Sequence, residues 1–156
     1  MTGNQRKTKR VNMTKFAQGK YVLKNPDKYI GNRTPTYRSS WEWAVMNMCD
    51  NNPAIDKWAS EAVKIPYRCP LTGKQTIYVP DFFVNYVDKN GKQHAEVWEV
   101  KPAAQAIKER VGRNPMNQAA YIKNMAKWEA ARAWCARQSI SFRVISENDI
   151  FHKGKR

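Results

Sequence analysis

The chain has 156 residues, 42% of them hydrophobic, with 7 glycines and 8 prolines, and these proportions indicate one globular domain and exclude collagen-like and wholly disordered proteins. Its 28 lysines and arginines exceed its 13 acidic residues and leave a net charge of +15. Solubility alone does not require such an excess, so the charge predicts a polyanionic partner, nucleic acid before an anionic membrane or an acidic protein.

The sequence carries no signal for export, membrane insertion or disulfide bonding. No apolar run approaches the roughly 20 residues that cross a bilayer, and the N-terminus lacks the apolar segment of a signal peptide. The cysteines, Cys49, Cys69 and Cys135, are odd in number and too widely spaced for a disulfide framework or a C-x-x-C metal site. We therefore expect a soluble protein of a cytosol-like compartment, with reduced thiols and with neither a membrane partner nor a nucleotide cofactor.

Residues 1–33 are expected to form a basic N-terminal arm. They contain nine lysines and arginines, one acid, Asp27, and little periodic apolar pattern. Such arms are usually disordered until they meet a partner, and their cations neutralise phosphates without reading sequence. The alternative interpretation is a solvated tail that serves only solubility.

The first helix is predicted to begin at Ser39, because Ser39-Ser40-Trp41-Glu42 has the form of a capping box. It should end at the breaker over 50–53, and residues 54–60 are interpreted as a short helical turn. Three strands follow in the prediction, over 62–67, 76–87 and 93–101. A hairpin turn over 88–91 joins the last two, so that residues 62–101 form a three-stranded meander.

The C-terminal part is expected to contain two helices and a fourth strand. A short helix is predicted over 103–110, and Asn114-Pro115 supplies the N-cap and the first-turn proline of a helix that reaches about residue 138. A strand over 140–145 and a last turn through 151 follow. The order α-β-β-β-α-β predicts an α/β fold with a mixed sheet flanked by helices, in a domain of residues 34–151 with a basic tail over 152–156.

Two acids and a lysine stand where a strand normally carries apolar or neutral residues. Asp81 follows Pro80 inside an apolar run, and Glu99 and Lys101 end the third strand on the same face of the sheet. A hairpin that turns near residue 90 pairs positions whose numbers add to about 180, which places Asp81 opposite Glu99. Facing carboxylates repel each other unless a cation lies between them, so the pair predicts a divalent metal site.

Carboxylates that share a site with water and phosphate oxygens are the usual ligands of Mg²⁺ or Mn²⁺ in phosphoryl chemistry. The ammonium of Lys101 can orient an attacking water or stabilise the charge that forms on phosphorus. Together these residues predict a phosphodiesterase.

The motif Pro80-Asp81 followed by Glu99-Val100-Lys101 resembles the P-D…(D/E)-x-K signature of restriction-endonuclease-like nucleases, whose core has the order α-β-β-β-α-β. The resemblance implies that Asp81, Glu99 and the Val100 carbonyl bind the metal and that Lys101 assists the water. An acid on the first helix often completes such sites, and Glu42 holds that position. Its alternative role is only that of a helix cap.

A narrower resemblance rests on Tyr37-Arg38-Ser39-Ser40-Trp41-Glu42, Tyr78-Val79-Pro80-Asp81-Phe82 and Phe142-Arg143-Val144-Ile145. These segments are similar to the TnsA-like transposon endonucleases and, in size and basic N-terminus, to the family of head completion nucleases of tailed bacteriophages. One difference is that the transposon branch has glutamine at the position of Glu99. The resemblance implies endonuclease and exonuclease activity on packaged DNA before head-tail joining, in the virion or the host cytoplasm, with portal or head-tail connector proteins as partners.

The cations expected to contact DNA lie in the arm, after the third strand and on the long helix. Solvated surfaces and a polar loop are the alternatives for them. These candidates are Arg6, Lys7, Lys9, Arg10, Lys108, Arg110, Arg113, Gln118, Lys123 and Lys127. No base-reading motif is present, so backbone contacts should dominate binding. Two other functions remain open at this point: a structural DNA-binding protein of the phage head that does not cut, and a Holliday-junction resolvase.

Overall fold

The computed structural model describes residues 18–152, without the side chains of residues 108, 109, 151 and 152. Its strands and helices are β1 (Gly19–Lys20), β2 (Thr36–Tyr37), α1 (Ser40–Asn51), β3 (Ile55–Ser60), β4 (Ile65–Arg68), β5 (Gln75–Tyr78), β6 (Phe82–Val87), β7 (Gln93–Val100), α2 (Ala103–Ala106), α3 (Lys108–Val111), α4 (Pro115–Arg137), β8 (Ser141–Ile145) and α5 (Glu147–His152).

The central sheet has four strands in the order β3-β6-β7-β8. The first three are antiparallel neighbours, and β8 returns beside β7 in parallel. Such a parallel return needs a crossover connection, which α4 provides. The fold is therefore a mixed α/β sheet flanked by helices, as the sequence predicts.

One face of the sheet is covered by α1. Val45, Met46 and Cys49 of this helix are buried together with Trp58 of β3 and Phe82 of β6. These positions follow the helical spacing expected of an apolar stripe. The helix begins where the sequence predicts, since the Ser39 hydroxyl accepts a hydrogen bond from the Glu42 amide at 3.1 Å.

The other face is covered by α4 and by a separate two-stranded hairpin, β4–β5. Trp128 and Ala131 of the helix pack with Ile65 and Tyr78 of the hairpin. The helix begins at its predicted cap, Asn114, whose side chain accepts hydrogen bonds from two amides of the first turn. No helix in the described range is long and apolar enough to span a membrane.

The prediction is wrong about which segments form the antiparallel part of the sheet. Residues 54–60 are not a helical turn but contain β3, and the predicted strand over 62–67 lies instead in the β4–β5 hairpin. An irregular register between Ile55 and Lys57 breaks the alternation that normally identifies a strand. The predicted strand over 76–87 is interrupted after Tyr78, because Pro80 has no amide to donate to a ladder.

The boundary of the arm also needs correction, because residues 18–33 are packed onto the domain. Tyr21 is buried, and its hydroxyl donates to the Asp50 carboxylate at 2.9 Å. The backbone amides of Lys24 and Asn25 donate to the same carboxylate at 2.8 and 2.9 Å. Residues 1–17 and 153–156 lie outside the described range, and the predicted tail begins one residue too early, because His152 is still part of α5.

Candidate active site

The register between β6 and β7 agrees with the predicted one. Phe82 pairs with Trp98 and Val87 with Gln93, so the next position brings Asp81 opposite Glu99. Asp81 stands immediately before β6, and its Oδ2 accepts a hydrogen bond from the Val100 amide at 2.8 Å. This bond fixes the Asp81 carboxylate at the end of β7, next to the E-x-K segment.

Glu99 is buried and has two partners. Its Oε1 accepts a hydrogen bond from the Tyr78 hydroxyl at 2.7 Å, and its Oε2 lies 3.3 Å from the Lys101 ammonium. The shared face of Glu99 and Lys101, expected from their spacing, is thus observed as an ion pair. The ammonium already offsets part of the negative charge that the two carboxylates bring together.

Tyr78 is a site residue that the sequence does not reveal. A tyrosine near the end of an apolar segment is ordinarily core, and Tyr78 is indeed buried, with its ring edge-on to Tyr67 and Phe142. Its hydroxyl reaches Glu99 only because the β4–β5 hairpin folds back onto the face that α4 covers. Burial and the nearby Glu99 charge both raise the pKa of Tyr78, which therefore stays a hydrogen-bond donor.

The Asp81 carboxylate holds its proton more tightly than an ordinary aspartate. Burial, followed by the charges of Glu99 and Glu42, raises its pKa to about 8, against the opposing effects of the Val100 amide and Lys101. The physical meaning is that negative charge at this position is not fully compensated by the protein. A cation beside Asp81 would relieve the repulsion.

Glu42 takes part in capping α1 and also interacts electrostatically with the site carboxylates. Its Oε1 accepts a hydrogen bond from the Arg38 amide at 3.1 Å, so it does help to cap α1. The pKa of Glu42 is raised by burial and, in smaller part, by the charges of Glu61 and Glu99, against the opposing effect of Arg38. Its electrostatic interaction with the other carboxylates places it at the rim of the same site.

These side chains fit a small divalent cation. They offer hard oxygen ligands, and Mg²⁺ is commonly held by one or two carboxylates, with water and substrate phosphates in its other positions. In the described part of the chain, no group of three or more His, Cys, Asp or Glu side chains is close enough to hold a metal ion by itself. The site therefore offers two facing carboxylates, a third near its rim and an ammonium, rather than a closed protein cage.

Comparison with known proteins identifies the family of this chain. The model of the TnsA-like endonuclease N-terminal family matches residues 52–147, a range that includes Asp81, Glu99 and Lys101. The chain belongs to the TnsA-like endonuclease family. The head completion nuclease of Enterobacteria phage T4 is 34% identical over 143 residues, which cover 85% of this chain and 92% of that protein. Glu42 precedes the range that the family model matches.

Lys127, one of the cations predicted to contact substrate, lies close enough to Glu99 of this TnsA-like endonuclease to interact with it electrostatically. Its ammonium stands 5.4 Å from the centre of the Tyr78 ring. Burial lowers the pKa of Lys127, and the charges of Lys101 and Lys123 lower it further. The face of α4 that carries Lys123 and Lys127 is therefore turned toward the site rather than away from it.

The other candidates are spread more widely. Arg110 and Arg113 are exposed on α3 and the turn after it. The side-chain amide of Gln118 donates a hydrogen bond to the Gly112 carbonyl at 3.1 Å. Arg6, Lys7, Lys9, Arg10 and the side chain of Lys108 lie outside the described residues. His94, which the sequence places on the face opposite Glu99, bonds Asp88 at 2.7 Å near the hairpin turn.

Proposed function

We propose that this TnsA-like endonuclease is a DNA nuclease that depends on Mg²⁺ or Mn²⁺ and uses Asp81, Glu99, Lys101 and Glu42. The observation that carries the proposal is the pair of carboxylates, Asp81 and Glu99, that face each other beside Lys101 at the end of two paired strands. Facing acids at a strand end cost stability unless they bind something. Membership of an endonuclease family supports the same conclusion.

In the proposed mechanism, Asp81 and Glu99 would hold the metal with the Val100 carbonyl oxygen, and Glu42 would bind it directly or through water. When bound, the ion would polarise the phosphate and lower the pKa of the attacking water. Lys101 stabilises the negative charge that develops as the water oxygen bonds to phosphorus and the bond from phosphorus to the 3′ oxygen breaks. The products carry a 5′-phosphate and a 3′-hydroxyl.

DNA binding is proposed to use the basic surfaces around this site. Phosphates would be contacted by residues of α4, of the segment before it and of the arm. These residues are Lys123, Lys127, Gln118, Arg113, Arg110, Lys108, Arg10, Lys9, Lys7 and Arg6. Such contacts carry little sequence information and weaken steeply with salt. The net charge of +15 supports this mode of binding.

The biological role that we propose is that of a phage head completion nuclease, which trims or cuts packaged DNA before the tail joins. The support is the similarity to the phage T4 protein of that name over nearly its whole length. Portal or head-tail connector proteins would then recruit the enzyme, in the host cytoplasm or in the assembled head.

Cleavage of a supercoiled plasmid tests the proposal. Wild-type protein should cut with Mg²⁺ or Mn²⁺ and not with EDTA, and Asp81→Ala, Glu99→Ala and Lys101→Ala should each reduce the rate at least about 100-fold, the scale at which catalytic groups contribute. Asp56→Ala and Lys92→Ala remove exposed charges far from the carboxylates and should cut normally. Unchanged cutting in all three site variants would contradict the site, and DNA binding without cutting by wild type would contradict the activity.

A further inference from the structure

A polar groove of about 580 Å³ is lined by residues that include Arg38 and Glu61. One wall is the segment over 30–38, which leads into α1, and the other is formed by residues 60–64 between β3 and β4. This groove is separate from the α4 surface, and it includes residues 30–33 at the end of the predicted N-terminal arm. Its position raises the question of what passes through it.

The groove is positively charged. Its walls contain three cations, Arg33, Arg38 and Lys64, and one acid, Glu61. Arg38 and Glu61 neutralise each other through an ion pair of 2.8 Å. Arg33 and Lys64 are exposed and make no ion pair with any residue in the described range, so their charges are available to an anion.

Two residues that line the groove are hydrogen-bonded to residues of the candidate active site. The amide of Glu61 donates a hydrogen bond to the Asp81 carbonyl at 2.9 Å, and the amide of Arg38 donates to Glu42 at 3.1 Å. Both residues of the internal ion pair are thus tied by their backbones to a carboxylate-bearing residue of the site. The groove therefore adjoins the segments that carry Asp81 and Glu42.

Size and lining favour one polynucleotide strand over a duplex. A volume of about 580 Å³ falls in the range of pockets that enclose a drug-sized molecule, roughly 300–1,000 Å³, which corresponds to one or a few nucleotides. Hydroxyl and amide groups line the walls, as they do where proteins contact phosphate and sugar. Two partly exposed apolar side chains, Ile30 and Val79, offer surface to bases.

We propose that this groove binds the single DNA strand next to the phosphate that is cut, with Arg33 and Lys64 on its phosphates. The inference rests on the proposed nuclease function and adds to it a preference for frayed or single-stranded ends over intact duplex. Arg38 has a positioning role, since its pairing with Glu61 keeps that acid from repelling the strand.

Binding measured in EDTA tests the groove without any cleavage. The double variant Arg33→Ala/Lys64→Ala is compared with Lys89→Ala/Lys92→Ala, which removes the same charge from the exposed turn between β6 and β7. The probes are a short fluorescein-labelled oligothymidylate and a blunt duplex of equal length, followed by fluorescence anisotropy over a range of salt concentrations.

The groove variant should bind the single strand roughly tenfold more weakly near 0.1 M salt, and the slope of log affinity against log salt should fall by about 1.4, or about 0.7 per lost phosphate contact. The control variant and the duplex should change much less. Unchanged single-strand affinity, an equal loss in the control variant, or an equal loss for the duplex would overturn the proposal. Because no metal is present, these results are independent of whether Asp81→Ala abolishes cutting.

Discussion

Removing the Tyr78 hydroxyl isolates the contribution of one hydrogen bond to the carboxylate site. Tyr78→Phe keeps the buried ring and its contacts with Tyr67 and Phe142 but deletes the 2.7 Å bond to Glu99. A bond this short to a carboxylate is charge-assisted and contributes about 1.5–3 kcal/mol. That free energy corresponds to a loss of roughly 10- to 100-fold in metal affinity, the usual effect of removing a group that orients a metal ligand.

The assay is the dependence of cleavage on Mn²⁺ concentration. Because Tyr78 acts through Glu99, Tyr78→Phe should raise the Mn²⁺ concentration that gives half-maximal cleavage by about 10- to 100-fold, while saturating Mn²⁺ restores most of the rate. Tyr67→Phe is the matched control, since Tyr67 is similarly buried in the same cluster and donates no hydrogen bond to a carboxylate among residues 18–152. If both variants had the same Mn²⁺ dependence as wild type, the positioning role of Tyr78 would be refuted.

Two further variants test Asp50 and Glu42. Burial alone would raise the pKa of Asp50, but the bonds from the Lys24 amide and the Tyr21 hydroxyl, among others, outweigh it and hold the pKa below its ordinary value. Asp50→Asn should therefore lower the free energy of unfolding by about 2–4 kcal/mol at pH 7. Urea denaturation should show that this difference between the two proteins shrinks as the pH falls below about 4, because Asp50 itself then becomes protonated. A difference that does not change with pH would contradict the lowered pKa of Asp50. Glu42→Gln keeps an acceptor for the Arg38 amide, so its free energy of unfolding should stay within about 0.5 kcal/mol of the wild-type value. The cleavage rate should fall at least about tenfold. An unchanged cleavage rate would mean that Glu42 serves only as a helix cap.

The parts of the fold that the sequence predicts well are those specified by local signals. Ser39 and Asn114 cap their helices with their own side chains, and the turn at Gly91, where φ is +80°, sets the register that brings Asp81 opposite Glu99. In each case the signal and its effect lie within a few residues or within one hairpin. The pairing of Asp81 with Glu99 can therefore be predicted from residue numbers alone.

The parts that the sequence does not predict depend on contacts between distant segments. Tyr21 and Asp50 are 29 residues apart, and nothing near either one indicates that residues 18–33 pack onto the domain. Tyr78 reaches Glu99 across 21 residues because Pro80 ends one hairpin before the next sheet begins. Ile55 and Trp58 are both buried in β3, although residues three positions apart in a regular strand lie on opposite faces of the sheet. The irregular register of β3 explains why both are buried.

Direct binding of Mn²⁺, followed by the electron paramagnetic resonance signal of the free ion, tests the carboxylate site without DNA and without turnover. Wild-type protein should remove Mn²⁺ from solution, and Asp81→Asn and Glu99→Gln should each weaken binding at least about tenfold, because each removes an anionic ligand. Asp56→Asn, which changes an exposed acid outside the site, should bind as wild type does. Binding that is unchanged by both Asp81→Asn and Glu99→Gln would contradict the assignment of these two carboxylates to the metal.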